Sequence, residues 1–214
     1  ELLRRLSKDG IEVPVEIKKA MMKINIEDFT DYNSESFYAD RPVPYIESSS
    51  GNIKTISAPH MIITLLHHME LSASQEVIII GCKGGYLAAL IATIIGENGR
   101  VNVLDPSKEV VQHAKERLSH WPTIEIRSIE QIDVAPIAFP GELNRVIITG
   151  QINKIPDWVK SRISDGGFVL GPIGSIDSQK LMKIEFQDNL SLETNLGSVC
   201  FGPLDLNTQI NQHL

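Results

Sequence analysis

Cysteine is nearly absent from this chain. Cys82 and Cys200 are the only two, far apart and without a C-x-x-C pair, so neither a disulfide framework nor a zinc site is signalled. Long apolar runs are missing as well. The apolar run around Val77–Ile80 is broken by Gly and Lys, and none approaches the roughly 18 residues a membrane span needs. The chain opens without the basic and then apolar pattern of a secretion signal. No excess of positive charge exists either: a formal charge of -7 and a pI near 5.4 argue against a constitutively basic nucleic-acid-binding face. Repeats, low-complexity tracts and the dinucleotide spacing G-x-G-x-x-G are all lacking. Together these absences lead us to expect a soluble cytoplasmic protein with no membrane or nucleic-acid partner.

What is present is the composition of a globular protein, 42% hydrophobic and 22% charged, long enough at 214 residues for one sizeable core. We read a single domain over 1–214 in three stretches: a helical and loop extension (1–58), an α/β core (59–180), and edge strands with a tail (181–214). In the first stretch Leu2, Leu3 and Leu6 form one helical stripe, and Val15, Ile17, Met21 and Met22 form another after Pro14. Residues 40–59 read as turn and loop. Asp40-Arg41-Pro42-Val43-Pro44 blocks helix, and Ser48-Ser49-Ser50-Gly51-Asn52 has the chemistry of a turn.

From Pro59 the pattern alternates. Helices are expected over 59–70, Leu87–Ile95, Lys108–Leu118 and, briefly, Pro156–Ile163. Strands are expected at Val77–Ile80, Arg100–Leu104, Thr123–Ile126, Arg145–Thr149 and Gly167–Leu170. Such alternation implies right-handed βαβ crossovers: a Rossmann-like, doubly wound, mostly parallel sheet with helices on both faces. The tail from 181 to 204 alternates apolar and polar residues, which suits antiparallel strands added at the sheet edge.

The sharpest local signal is Val77-Ile78-Ile79-Ile80-Gly81-Cys82-Lys83-Gly84-Gly85-Tyr86, a buried strand entering a Gly-rich turn and then a helix. Such a turn lets backbone approach a ligand closely, at the carboxyl end of a strand where open α/β sheets bind. Asp105, at the end of the next strand, is spaced to accept hydrogen bonds from ribose hydroxyls. The residues alone leave a second reading open, a tight turn with Asp105 as a helix N-cap.

Upstream, Asp40-Arg41-Pro42-Val43-Pro44 and Thr55-Ile56-Ser57-Ala58-Pro59-His60-Met61 resemble the protein-L-isoaspartate O-methyltransferases, which read roughly D-x-P-L-P and then T-I-S-x-P-H-M. Asp165-Gly166-Gly167, Pro172-Ile173-Gly174 and Phe201-Gly202-Pro203-Leu204 extend the resemblance over nearly the whole chain. It implies methyl transfer from S-adenosyl-L-methionine (AdoMet) to the carboxyl of L-isoaspartyl residues in damaged proteins. It also implies roles. Ser57 would orient the acceptor carboxyl, with Thr55, His60 and Thr149 on the substrate side. Gly81, Cys82, Gly84, Gly85 and Asp105 would hold the cofactor, with Glu130 on its adenine. Ser57 also has a local alternative as N-cap of the helix starting at Pro59.

The family motif Glu-Ile-Gly-Thr-Gly-Ser-Gly-Tyr is altered here. Its acid is Ile79, its Thr is Cys82, its second Gly is Lys83 and its Ser is Gly84. Thr149-Gly150-Gln151 replaces T-A-A, and Lys54 replaces a Gln. Three functions therefore remain open from sequence: the methyltransferase, a fold retained for binding without turnover, or a related methyltransferase with another acceptor.

Overall fold

The computed structural model describes residues 1–136, 141–188 and 190–204. Three short helices open the chain, α1 (Leu2–Lys8), α2 (Val15–Lys23) and α3 (Glu35–Tyr38), with a 3-10 turn at Ile26–Phe29. Their buried residues, among them Leu6, Ile17, Ile26 and Phe37, join the main core. The expected loop over 40–59 is instead a hairpin, β1 (Val43–Glu47) and β2 (Ile53–Ile56), paired antiparallel. Its proline is tolerated because the register shifts between Pro44 and Ile46, a bulge where a missing N–H costs no ladder bond. Ser48–Asn52 forms the turn, with Gly51 N–H on the Ser48 carbonyl at 2.8 Å.

After α4 (Pro59–His68) come β3 (Glu76–Ile80), α5 (Tyr86–Ile95), β4 (Arg100–Asp105), α6 (Lys108–Arg117), β5 (Ile124–Ser128) and β6 (Leu143–Ile148). Then follow α7 (Asp157–Lys160), β7 (Ile163–Ser175), β8 (Ser178–Gln187) and β9 (Leu190–Val199). The seven-stranded sheet runs β5-β4-β3-β6-β7-β8-β9. Its first five strands are parallel, and β8 and β9 add antiparallel at one edge. The order reverses between β3 and β6, so the crevice at their carboxyl ends is the ligand position for an open sheet.

β3 shows why its run is wholly apolar. Val77 and Ile79 face the layer built by α2, α4, α5 and α6, while Ile78 and Ile80 face the other side. That second layer is thin. Among the described residues it holds the single turn α7 and connecting segments carrying Ile129, Ile132, Ile152 and Ile155. The helix expected over Pro156–Ile163 stops at Lys160, because Ile163 already pairs with Leu143 in the sheet. The tail beyond residue 204 lies outside the described residues, and no described helix is long and apolar enough to cross a membrane.

Candidate active site

Beyond Ile80 the backbone turns at Gly81, whose N–H donates to the Leu104 carbonyl at 2.7 Å. Its own carbonyl accepts the Thr149 hydroxyl at 2.9 Å. At φ +109, with Thr149 Oγ1 only 2.2 Å from where a Cβ would stand, this position takes glycine alone. Gly84, also at positive φ (+71), is constrained further: Tyr45 and Ile56 of the hairpin press to within 3.1 Å of its missing Cβ. That second constraint comes from the hairpin packed on the turn.

Asp105 ties the turn to α6. Its Oδ2 accepts the Cys82 N–H and its Oδ1 the Ser107 N–H, both at 2.8 Å. Burial raises its carboxyl above the usual range, opposed by those amides and by Lys54 and Lys83. Asp105 is not the helix cap that one reading offered. Ser107 caps α6, accepting the Val110 N–H at 3.4 Å.

A crevice of about 260 Å³ opens here. The hairpin supplies Tyr45, Lys54 and Thr55 to it, while Gly81, Asp105 and Thr149 come from the sheet ends. The hairpin tip is held down by the Ser49 N–H, which donates to both carboxylate oxygens of Glu109 at 3.2 and 3.3 Å. The Tyr45 hydroxyl is pushed well up by burial, and next by Asp105, so it stays a neutral phenol.

Of the residues singled out from sequence, Thr55, Gly81, Asp105 and Thr149 meet in this crevice. Cys82, Gly84 and Gly85 are buried in the turn behind it, and burial pushes the Cys82 thiol well up. Ser57, His60 and Glu130 do not line it. Ser57 is half-buried just past β2, and its hydroxyl makes no hydrogen bond among the described residues. Nor does it cap α4. The N-cap is Ala58, without a side-chain bond, and Asp40 from twenty residues upstream accepts both His60 N–H and His60 Nδ1 at 2.9 Å. Glu130 is exposed in the turn after β5, beside Ile129, whose N–H donates to the Asp105 carbonyl.

Sequence reasoning missed Tyr45, and it marked Lys54 and Lys83 as departures from the family pattern at the cleft, with the Lys83 ammonium set against a sulfonium. Tyr45 was hidden because a proline-rich stretch does not advertise a strand. Lys83 sits at φ +45, a region a lysine rarely adopts, and its ammonium lies 5.3 Å from the Phe201 ring centroid. Burial first, and Lys54 second, push its amine down to about 8, with Asp105 opposing. A larger groove of about 1090 Å³ lies among the N-terminal helices and reaches Tyr86 at the start of α5. No cluster of His, Cys, Asp and Glu among the described residues could hold a metal ion.

A seven-stranded, mostly parallel sheet with a glycine turn and a ribose-spaced acid at its switch point defines an α/β methyltransferase fold. A family profile for protein-L-isoaspartate(D-aspartate) O-methyltransferase matches residues 1–209, and the chain belongs to that family. The chain is 30% identical over 191 residues to a protein-L-isoaspartate O-methyltransferase of Methanothermobacter thermautotrophicus, covering 88% of this chain and 86% of that protein. It is 28% identical over 214 residues to one of Pyrobaculum islandicum, covering 95% and 97%. The fold matches a crystal structure from Plasmodium falciparum, described as a beta-aspartate methyltransferase in complex with S-adenosyl-L-homocysteine. That match has a TM-score of 0.79 at 23% identity, covering 95% of this chain and 96% of that one.

Proposed function

We propose that this chain is an AdoMet-dependent methyltransferase that esterifies the carboxyl of L-isoaspartyl residues in damaged proteins. The observation that carries the reading is Asp105 at the switch-point crevice. Its carboxylate uses one lone pair on each oxygen for Cys82 and Ser107, and about two sites remain for the hydroxyls of a ribose. That acceptor chemistry fits the hydroxyls of a nucleoside cofactor. When bound, AdoMet would supply an activated methyl group, whose transfer to a carboxylate forms a C–O bond as the C–S bond breaks and the thioether leaves, and needs alignment more than an acid or base.

The residues of this chain then have to bind and align. Asp105 holds the ribose, and Glu130 remains the candidate for the adenine amine. Gly81 presents backbone to the crevice, and Thr149 acts by holding the Gly81 carbonyl. Thr55 lines the acceptor side, Ser57, just past β2 beside the crevice, is the candidate that orients the acceptor carboxyl, and His60 is positioned through Asp40. Isoaspartyl proteins are the partners, in the cytoplasm, where Cys82 and Cys200 remain free thiols.

One observation favours a fold without turnover: Lys83 brings an ammonium to the crevice where the family has glycine. Calorimetric titration with S-adenosylhomocysteine separates the two. Micromolar binding that weakens at least tenfold in Asp105→Ala supports the enzyme, and transfer of labelled methyl to an isoaspartyl peptide, reduced in Ser57→Ala, completes it. No heat from protein shown to be folded leaves the non-catalytic reading.

A further inference from the structure

Two lysines face the crevice from different elements, Lys54 from β2 and Lys83 from the turn after β3. Neither forms a salt bridge among the described residues. Asp105 is the one acid among the described lining residues, and both its oxygens already accept backbone amides. Ile79, standing where the family has its acid, is buried in the apolar layer and contributes no charge. Tyr45 and Cys82, the other titratable groups at the turn, are held neutral by burial. Among the described lining residues two positive charges therefore stand against one negative, with Glu109 at the hairpin tip a further acid that acts on Lys54.

The space they share is small. A cavity of about 260 Å³ is roughly 8 Å across as a sphere, within one screening length at physiological salt. Any charge placed in it interacts with Lys83.

Resting on the cofactor reading above, we propose that Lys83 is a specificity-determining residue that sets this pocket against a cationic ligand, favouring an uncharged thioether over a sulfonium on the same nucleoside. The two ligands compared are AdoMet and S-adenosylhomocysteine. They share adenosine, carboxylate and amine, and differ in the methyl group and the positive charge on sulfur. A like charge within about 8 Å, at the dielectric of a protein surface, disfavours the cation by about tenfold or more. The discrimination belongs to the protonated amine. It weakens as pH rises through about 8, where Lys83 loses its proton while Asp105 stays charged.

The test is calorimetric titration of both ligands, at pH 7 and pH 9, into the wild-type chain, Lys83→Met and Lys83→Gly. Methionine keeps the stem without the charge, and glycine suits the positive φ should methionine fold poorly. The expected result is a thioether preference that is at least tenfold greater in the wild type than in either variant at pH 7. At pH 9 the wild-type preference falls toward that of the variants, which control for titration of the ligands themselves. An equal preference in wild type and variants, or a wild-type preference that pH does not move relative to theirs, overturns the proposal and leaves the cofactor reading standing. Failure of S-adenosylhomocysteine to bind any of the three proteins overturns the cofactor reading itself, and the proposal with it.

Discussion

Lys83 combines a strained backbone with a desolvated charge, and both act on folding before any ligand arrives. Its amine is near 8 in the folded chain against 10.5 when exposed, so between those values the unfolded chain binds more protons. Stability therefore rises with pH across that window, and the destabilisation is fully present below about 8. Because the side chain is partly exposed at the crevice, solvent screens some of the effect, and we expect about 1–2 kcal/mol at pH 7. Lys83→Met is then more stable than the wild type at pH 7, by roughly 2–6 °C in Tm for a chain of this size, and the gap narrows toward pH 10. Thermal unfolding at both pH values checks this. A variant no more stable at pH 7 than the wild type would sink the idea that the lysine is retained against a folding cost.

The start of α4 depends on one upstream residue. Asp40, at φ +58, accepts the His60 N–H and ring nitrogen and so performs the cap that Ala58 cannot supply. Asp40→Ala is expected to cost about 1–2 kcal/mol, with Asp40→Asn recovering most of it because an amide oxygen still accepts the N–H. Equal losses in the two variants, read by denaturant unfolding, would mean the carboxylate's bond to the His60 ring matters and the cap does not. The example also marks what sequence could reveal. Strands such as Val77–Ile80 were legible because burial on both faces leaves an unbroken β-branched run, and Asp105 was legible because a fixed βαβ length sets its spacing from Gly81. Asp40 and His60 meet only through the fold, twenty residues apart, and the Ser57 neighbourhood suggested a local cap that the tertiary contact replaced. The hairpin was missed because Pro44 argues against a strand unless a bulge is foreseen. Tyr45 went with it, so on the hairpin wall of the crevice only Thr55 was assigned to the site from sequence.

Across the whole molecule, the antiparallel extension is joined to the parallel core by more than the β7–β8 ladder. Lys183 on β8 is nearly buried, with its ammonium 2.5 Å from Glu70 just past α4, 3.2 Å from Glu185, and 4.3 Å from the Phe168 ring centroid. The charge and the stem make different contributions. Glu70 and Glu185 are substantially exposed, at 57% and 41%, so removing the lysine leaves both carboxylates hydrated. The usual penalty of an orphaned buried charge does not arise. The side chain also packs on Phe168, itself buried in the main core, with its ammonium over the ring. Lys183→Met, which keeps most of that packing and removes the desolvated ammonium, is therefore expected to change stability by less than about 1 kcal/mol in either direction. Lys183→Ala, which uncovers the ring and opens space beside it, should cost about 2–3 kcal/mol. Denaturant unfolding of the pair decides between stem and charge: a loss in Lys183→Met as large as in Lys183→Ala would show that the ion pair, and not apolar cover, fastens β8 to the end of α4.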